Sequence, residues 1–408
     1  TKGDEIYRTN DGGKTWKALG TKAVRDDAGA HYLYWDRDKP SSSGWMGDID
    51  IDPFNPGRAM YVTGQGLWAT DDATAADSDK PTHWVFRDKN LEETVVAGLC
   101  SPPSGAPLLS VVADLGGFRH DDLDKPSPKG MFQTPIFGSG TGIDFAAKKP
   151  EVVARVGWAG GAGKHGAVSM DGGSTWKPFD TEPPGNGAGS VAVSADGETL
   201  VWSPKGGGAA FSRDRGASWV RADGLPEPAK IPDWAPVNLR PAADRVNPQK
   251  MYAYDSLKGI AYASTDGGAH FASTQSTMPS LPDYNLGSGS AQATPEIEGD
   301  VWLTTGKELY HSTDSGKTYS SLSNVDESVA VGFGKPASGN YPAVYLIGKV
   351  GGTAGFFRSD DVGATWSRIN DDEHQYGFTG VIIGDPRTYG RVYVGTGGRG
   401  ILYGDPTK

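Results

Sequence analysis

Apolar and polar residues alternate along most of this chain with a period of two, in short runs cut off by Gly, Pro, Asn or Asp. Arg58-Ala59-Met60-Tyr61-Val62-Thr63, Lys250-Met251-Tyr252-Ala253-Tyr254 and Arg391-Val392-Tyr393-Val394-Gly395 each follow a Pro- or Asn-containing turn. Each reads as a strand, with successive side chains on opposite faces. A 3.6-residue period is never sustained beyond about two turns before Gly or Pro interrupts it. The pattern therefore predicts an all-β protein. No stretch approaches about eighteen uninterrupted apolar residues, the length a membrane-crossing helix needs.

A longer period lies over this one. The octapeptide Ser/Thr-x-Asp-x-Gly-x-Thr/Ser-aromatic occurs as Thr9 to Trp16, Ser169 to Trp176, Ser212 to Trp219, Ser264 to Phe271 (with His270 in the seventh place), Ser312 to Tyr319 and Ser359 to Trp366. Its aspartates are Asp11, Asp171, Asp214, Asp266, Asp314 and Asp361. From Asp171 onward they recur at spacings in the forties to low fifties, which fits one four-stranded propeller blade per repeat. Asp can accept backbone N–H groups in a tight turn, Gly supplies a left-handed φ, and the final aromatic can fold beneath the turn. The octapeptide resembles the Asp-box of sialidases, sortilin-type receptors and several glycoside hydrolases, where it is architectural. All six aspartates are read as structural, and Trp16, Trp176, Trp219 and Trp366 as core.

Residues 92–408 have room for seven blades at about 45 residues each. Residues 1–91 supply only about two, and two blades cannot close a ring without leaving strand edges open. They are expected to be the last blades of a second, incomplete propeller.

Composition narrows the function. Lys+Arg 39 against Asp+Glu 50 gives a net charge of -11, which disfavours nucleic acid and anionic membrane as partners. The single cysteine, Cys100, excludes an intrachain disulfide framework and a Cys-based zinc site. No metal and no cofactor is expected. Thr1 to Asn10 contain no apolar signal core.

The segment Ser101 to Asp122 carries the most chemistry. Leu108 to Ala113 reads as a strand ending at Asp114, and Gly116-Gly117 lets the backbone turn sharply beside it. Read on its own, Asp114 is either a turn cap or a carboxylate presented at a strand end. The segment closely resembles the catalytic-acid segment of glycoside hydrolase family 74, the xyloglucanases. Gly44-Trp45-Met46 through Ile51-Asp52-Pro53-Phe54-Asn55-Pro56, Asn370 to Gly377, and Gly384-Asp385-Pro386-Arg387 through Gly398 to Asp405 resemble the same family. The last stretch resembles the family's terminal strand, so the C-terminus is expected to be complete.

The resemblance implies two seven-bladed propellers clasping a glucan cleft, inverting hydrolysis of the β-1,4-glucan backbone of xyloglucan, and secretion. It gives Asp114 the role of general acid and assigns the general base to a first-propeller motif that residues 1–91 lack. The expected partners are xyloglucan or a related β-glucan and the N-terminal propeller of the same enzyme. Further candidates are Arg119 and His120 as hydrogen-bonders to sugar hydroxyls, with Gly116 and Gly117 beside them, and His374-Gln375-Tyr376 as a cleft lining. Tyr34, Trp35 and Trp45 are candidate aromatic platforms, whereas Trp68, Trp158, Trp202, Trp234 and Trp302 are left open. Asp48, Asp50 and Asp52 alternate along a strand, and one of them could be a base or a cation ligand. More simply, Asp52 starts an Asp-Pro turn and the others sit on a solvated face. The alternative function is a glycan-binding propeller without the base. A sialidase would need an arginine cluster that cannot be assembled here, and a sortilin-type receptor would need a disulfide-rich module.

Overall fold

The alternating runs form strands and the Gly- and Asp-rich segments between them form turns. In this computed structural model, which describes residues 4–30, 45–88, 94–159, 163–230, 237–281 and 289–406, the only helical pieces are the short 3-10 turns Gly20–Lys22 and Ala73–Ser78. Tyr34, Trp35, Trp234 and the boundary expected at 91/92 lie outside the described residues. The chain divides into two compact units. One comprises Thr1–Thr94 with Gly398–Gly400, the other Val95–Gly397 with Ile401–Lys408.

In the first unit β1 (Tyr7–Arg8) pairs with β2 (Lys17–Ala18). The strands β3 (Ala23–Asp26), β4 (Asp48–Ile51), β5 (Ala59–Thr63), β6 (Gly66–Thr70) and β7 (Thr82–Phe86) form one sheet in the order β3-β7-β6-β5-β4. Its core is aromatic: Tyr61 meets Trp84 edge-on at 4.9 Å, and Trp68 meets Phe86 at 5.1 Å. Every residue of β4 is exposed, including the apolar Ile49 and Ile51. Trp16, expected in the core, is 59% exposed. Its octapeptide closes a sheet of only two strands among the described residues.

The second unit is a succession of seven antiparallel sheets among the described residues. The first is β8 (Val96–Cys100), β9 (Leu108–Val112) and β10 (Gly116–His120). The second runs β11 (Ser139–Ala146), β12 (Lys149–Trp158), β13 (Gly166–Ser169), β14 (Lys177–Pro178), and the third β15 (Ser190–Val193), β16 (Leu200–Ser203), β17 (Ala210–Ser212), β18 (Val220–Arg221). The fourth is β19 (Leu239–Ala243), β20 (Met251–Asp255), β21 (Ile260–Ser264), β22 (Ala272–Thr277), and the fifth β23 (Ser290–Ala293), β24 (Val301–Thr304), β25 (Leu309–Ser312), β26 (Ser320–Ser321). The sixth is β27 (Glu327–Gly334), β28 (Ala343–Val350), β29 (Thr353–Ser359), β30 (Ser367–Arg368), and the last β31 (Thr379–Gly384), β32 (Val392–Thr396), β33 (Ile401–Gly404). Strand order follows chain order in each sheet, and the first strands of successive sheets lie side by side. β31 also lies against β8, and Val95 bridges Gly397, so the last sheet closes onto the first. The cores sit between neighbouring sheets. Trp202 packs with Phe179 and Trp219, and Trp302 with Leu309, Val331 and Phe357. Trp68, Trp202 and Trp302, left open by sequence, are fully buried.

Antiparallel order fixes two ends. The turns after first and third strands lie at one end of each sheet. Those after second strands, and the sheet-to-sheet connections, lie at the other. The five octapeptides of this unit all join third to fourth strands. Each folds alike: in the last, the Thr365 N–H and hydroxyl donate to Asp361 at 2.8 and 2.6 Å, and Ser359 Oγ donates to it at 2.8 Å. These bonds, that from the Thr365 hydroxyl foremost, hold the Asp361 carboxyl below its ordinary range. The octapeptide aspartates therefore act as turn anchors.

Candidate active site

Asp114 lies in the turn between β9 and β10, a second-to-third-strand turn and hence at the end opposite the octapeptides. The Leu115 N–H donates to the Ala113 carbonyl at 2.8 Å across Asp114, whose φ is +64°. The Gly117 N–H donates to the Leu115 carbonyl at 3.0 Å across Gly116, with φ +80°. Two three-residue turns with positive φ in succession form a strained backbone, and for the non-glycine Asp114 the strain is real.

The surroundings impose this turn. A Cβ on Gly117 would lie 2.2 Å from the Ser110 carbonyl oxygen, and one on Gly140 of β11 would lie 2.0 Å from the Gly116 oxygen. The Ser139 hydroxyl accepts the Asp114 N–H at 3.1 Å. Gly116 and Gly117 are buried and shape the turn from below.

The Asp114 carboxylate faces outward and accepts no hydrogen bond among the described residues. Burial by the neighbouring walls raises its pKa above the ordinary 3.8. Among the described residues, neither a cation nor another carboxylate contributes to that rise.

Two exposed aromatic residues are tied to the turn through backbone pairing. Ser139 is the register partner of Trp158 at the end of β12, and the Trp158 carbonyl accepts the Gly138 N–H at 2.8 Å. Trp158 is 53% exposed. On the other side the Ala113 N–H donates to the Val95 carbonyl, Val95 bridges Gly397, and the Gly397 N–H donates to the Phe378 carbonyl at 2.8 Å. Phe378 is 77% exposed. Phe378 was not foreseen in the sequence and Trp158 was left open. Both sit at strand ends, where an apolar side chain has no alternation to betray it.

β10 leads away from this site. At about 3.3 Å per residue its five residues carry the chain about 13 Å toward the octapeptide end. There Arg119 pairs with Asp121 at 2.8 Å and donates to the Gly172 carbonyl of the first octapeptide in this unit. His120 Nε2 lies 2.9 Å from the Ser110 hydroxyl, and burial pushes its imidazole down to about 4, so the ring is neutral at pH 7. The structure thus does not bring Arg119 and His120 beside Asp114.

His374, Gln375 and Tyr376 occupy the connection from β30 to β31, on the Asp114 end of the sheets, four residues or fewer before Phe378. Asp371 organises them. His374 Nδ1 is 2.6 Å from its carboxylate, and Gln375 Nε2 donates to its carbonyl at 3.0 Å. Tyr376 stacks parallel to Phe356 at 6.4 Å. In the first unit, Trp45 is 82% exposed. Asp48 and Asp50 share one face of β4, and Asp52 caps the Phe54 N–H and pairs with Arg58 at 3.2 Å. No group of three His, Cys, Asp or Glu is placed to hold a metal ion among the described residues.

No protein-family model matches the chain. A xyloglucanase from Paenibacillus sp. is 42% identical over 98% of this chain and 40% of its own length. The crystal structure of the GH74 xyloglucanase from Xanthomonas campestris superposes with a TM-score of 0.85 at 40% identity, over 100% of this chain and 56% of that one. The β-propeller domain of Cps50 (Swd1) from Myceliophteria thermophila, at 10% identity and a TM-score of 0.50, shares the fold alone. The chain spans about half the length of the curated relatives it matches.

Proposed function

Because the chain belongs to glycoside hydrolase family 74, we propose that it is the acid-bearing part of a secreted enzyme that cleaves the β-1,4-glucan backbone of xyloglucan with inversion. The seven sheets of the second unit are read as seven propeller blades. The observation that carries the reading is Asp114: a carboxylate with no partner among the described residues, raised in pKa by burial and held in a strained turn whose backbone pairing leads to the exposed Trp158 and Phe378.

The chemistry follows from that placement. The apolar faces of sugar rings stack on Trp158 and Phe378 while their hydroxyls stay solvated. A raised pKa keeps a fraction of Asp114 protonated under mildly acidic conditions. Its proton passes to the glycosidic oxygen as the bond to the anomeric carbon breaks. Water attacks that carbon from the opposite face and gives its proton to a second carboxylate. Inversion needs the two carboxylates roughly 6.5–9.5 Å apart. That base is assigned to the N-terminal propeller, the partner half of the same enzyme. A polysaccharide of this kind is met outside the cell, hence secretion.

One observation favours a second reading for the chain alone, a glycan-binding propeller that does not cleave. Among the described residues no neighbouring carboxylate contributes to the raised pKa of Asp114. Reducing-sugar release from xyloglucan by the purified chain, with Asp114→Ala as control, tests both. Release lost in the control supports hydrolysis and moves the search for the base to Asp48 and Asp50. Binding without release is what half an active site gives, and release restored by the N-terminal propeller then separates the enzyme from the second reading; neither binding nor release overturns both.

A further inference from the structure

Beneath the Asp114 turn lies a buried cation with no ion-pair partner among the described residues. Arg155, in the middle of β12, is 0% exposed. Its guanidinium stands over the rings of Phe137 at 4.3 Å, Trp176 at 4.8 Å and Phe132 at 5.0 Å. Nη2 donates to the Pro135 carbonyl at 2.6 Å, while Nε and Nη1 have no hydrogen-bond partner. Burial pulls its pKa down to about 9, so it is cationic at neutral pH. Leaving two guanidinium nitrogens unpaired in a buried site costs free energy that an apolar side chain of the same size would not. The rings offset part of that cost.

What Arg155 grips is the segment that carries the turn. Pro135 and Phe137 lead directly into Ser139, whose hydroxyl accepts the Asp114 N–H. The Phe137 backbone and Cβ also lie against Gly116, its carbonyl oxygen 3.1 Å from where a Cβ would stand. Gly157, two residues beyond Arg155, is pressed so close to the Phe137 ring that a Cβ would meet it at 2.5 Å. The guanidinium, the Phe137 ring and the Pro135 carbonyl thus fix the floor on which Asp114 rests.

We propose that Arg155 is a positioning residue for Asp114, acting through Pro135, Phe137 and Ser139 to hold the carboxylate in its outward, partly desolvated pose. The inference rests on the proposed role of Asp114 as the acid, but its test does not require catalysis.

The test is a titration of Asp114 by carbon NMR in the chain labelled at its aspartate carboxyls, the resonance assigned by its loss in Asp114→Asn. Arg155→Met keeps the volume and removes the charge and the bond to Pro135. Phe137→Leu leaves Arg155 and removes the ring between it and the turn. In either variant the Asp114 midpoint is expected to fall back toward 3.8 by at least half of its displacement in the unaltered chain. An unchanged midpoint in the folded variants, with only thermal stability reduced, would make Arg155 a core residue and overturn the inference. Should Arg155→Met not fold, Phe137→Leu decides alone. Failure of the chain to bind xyloglucan would count against the proposed function and leave this titration untouched.

Discussion

Gly140→Ala isolates the geometry of the Asp114 turn from every other property of the site. Gly140 lies in β11 opposite Gly157, and its φ is outside the left-handed region, so alanine brings no backbone strain of its own. The added methyl would stand 2.0 Å from the Gly116 oxygen and 2.8 Å from Val111 Cβ. The first contact is 1.4 Å short of the 3.4 Å at which ordinary contact begins. Neither blocking atom can rotate away, because one is backbone and the other the branch point of a fully buried valine. Relief has to come from moving the Gly116 peptide, which is half of the Asp114 turn. Overpacking of this kind costs about 1–3 kcal/mol, and a clash with atoms that cannot rotate away belongs at the upper end. Displacing a catalytic carboxylate by about 1 Å costs about a hundredfold in rate. Urea denaturation gives the stability change. Amide exchange at Leu115 and Gly117, the two donors that close the turn, shows where it falls, with exchange at these amides accelerated more than at the cores of the other sheets. Gly105→Ala serves as the comparison. Its φ is +85° with nothing within 4 Å, so it carries strain of about 1–2 kcal/mol without a clash and is expected to leave Leu115 and Gly117 protected. A stable Gly140→Ala, or one whose lost stability spares those two amides, would refute the argument that close packing of β11 shapes the turn.

Two further expectations follow from single residues. Trp158→Ala is expected to weaken binding of xyloglucan oligosaccharides about tenfold, about 1.4 kcal/mol, with little loss of stability because half the ring is already exposed; an unchanged Kd by calorimetry would remove it from the site. In the fourth octapeptide, histidine stands where the others have Thr or Ser, and its hydrogen bond to Asp266 at 2.6 Å raises the His270 pKa above 6.5. A raised folded value means the bond stabilises the fold fully below 6.5 and is lost as pH rises through that folded value. The difference in melting temperature between the unaltered chain and His270→Thr should therefore shrink across that window, and a difference flat with pH would contradict it.

What the sequence disclosed and what it withheld divide along one physical line. The octapeptides were legible because their bonds are local: Asp361 is satisfied by Ser359 and Thr365, within four residues. The fate of their aromatics was not. Trp16 and Trp366 end near-identical octapeptides, yet Trp16 is 59% exposed while Trp366 packs into the core around Trp302. What lies beside each ring is set by sheets far away in sequence. Asp114 stood out through Gly116-Gly117 and the family-like segment around it. Its neighbours did not, because Trp158 is brought in by its register with Ser139, and Phe378 by the bridge between Val95 and Gly397. Arg119 and His120 are close to Asp114 in sequence, but a five-residue strand spends that closeness on length and delivers them to the octapeptide end. In a sheet-built protein, residues a few positions past a turn share its face only if the chain turns back. The neighbours of a carboxylate in a second-to-third-strand turn are therefore to be sought in the matching turns and connections of adjacent sheets. By that rule the connection Asn370 to Phe378, whose Asp371 orders His374 and Gln375 on the Asp114 end, is the next stretch from which a sugar contact should come.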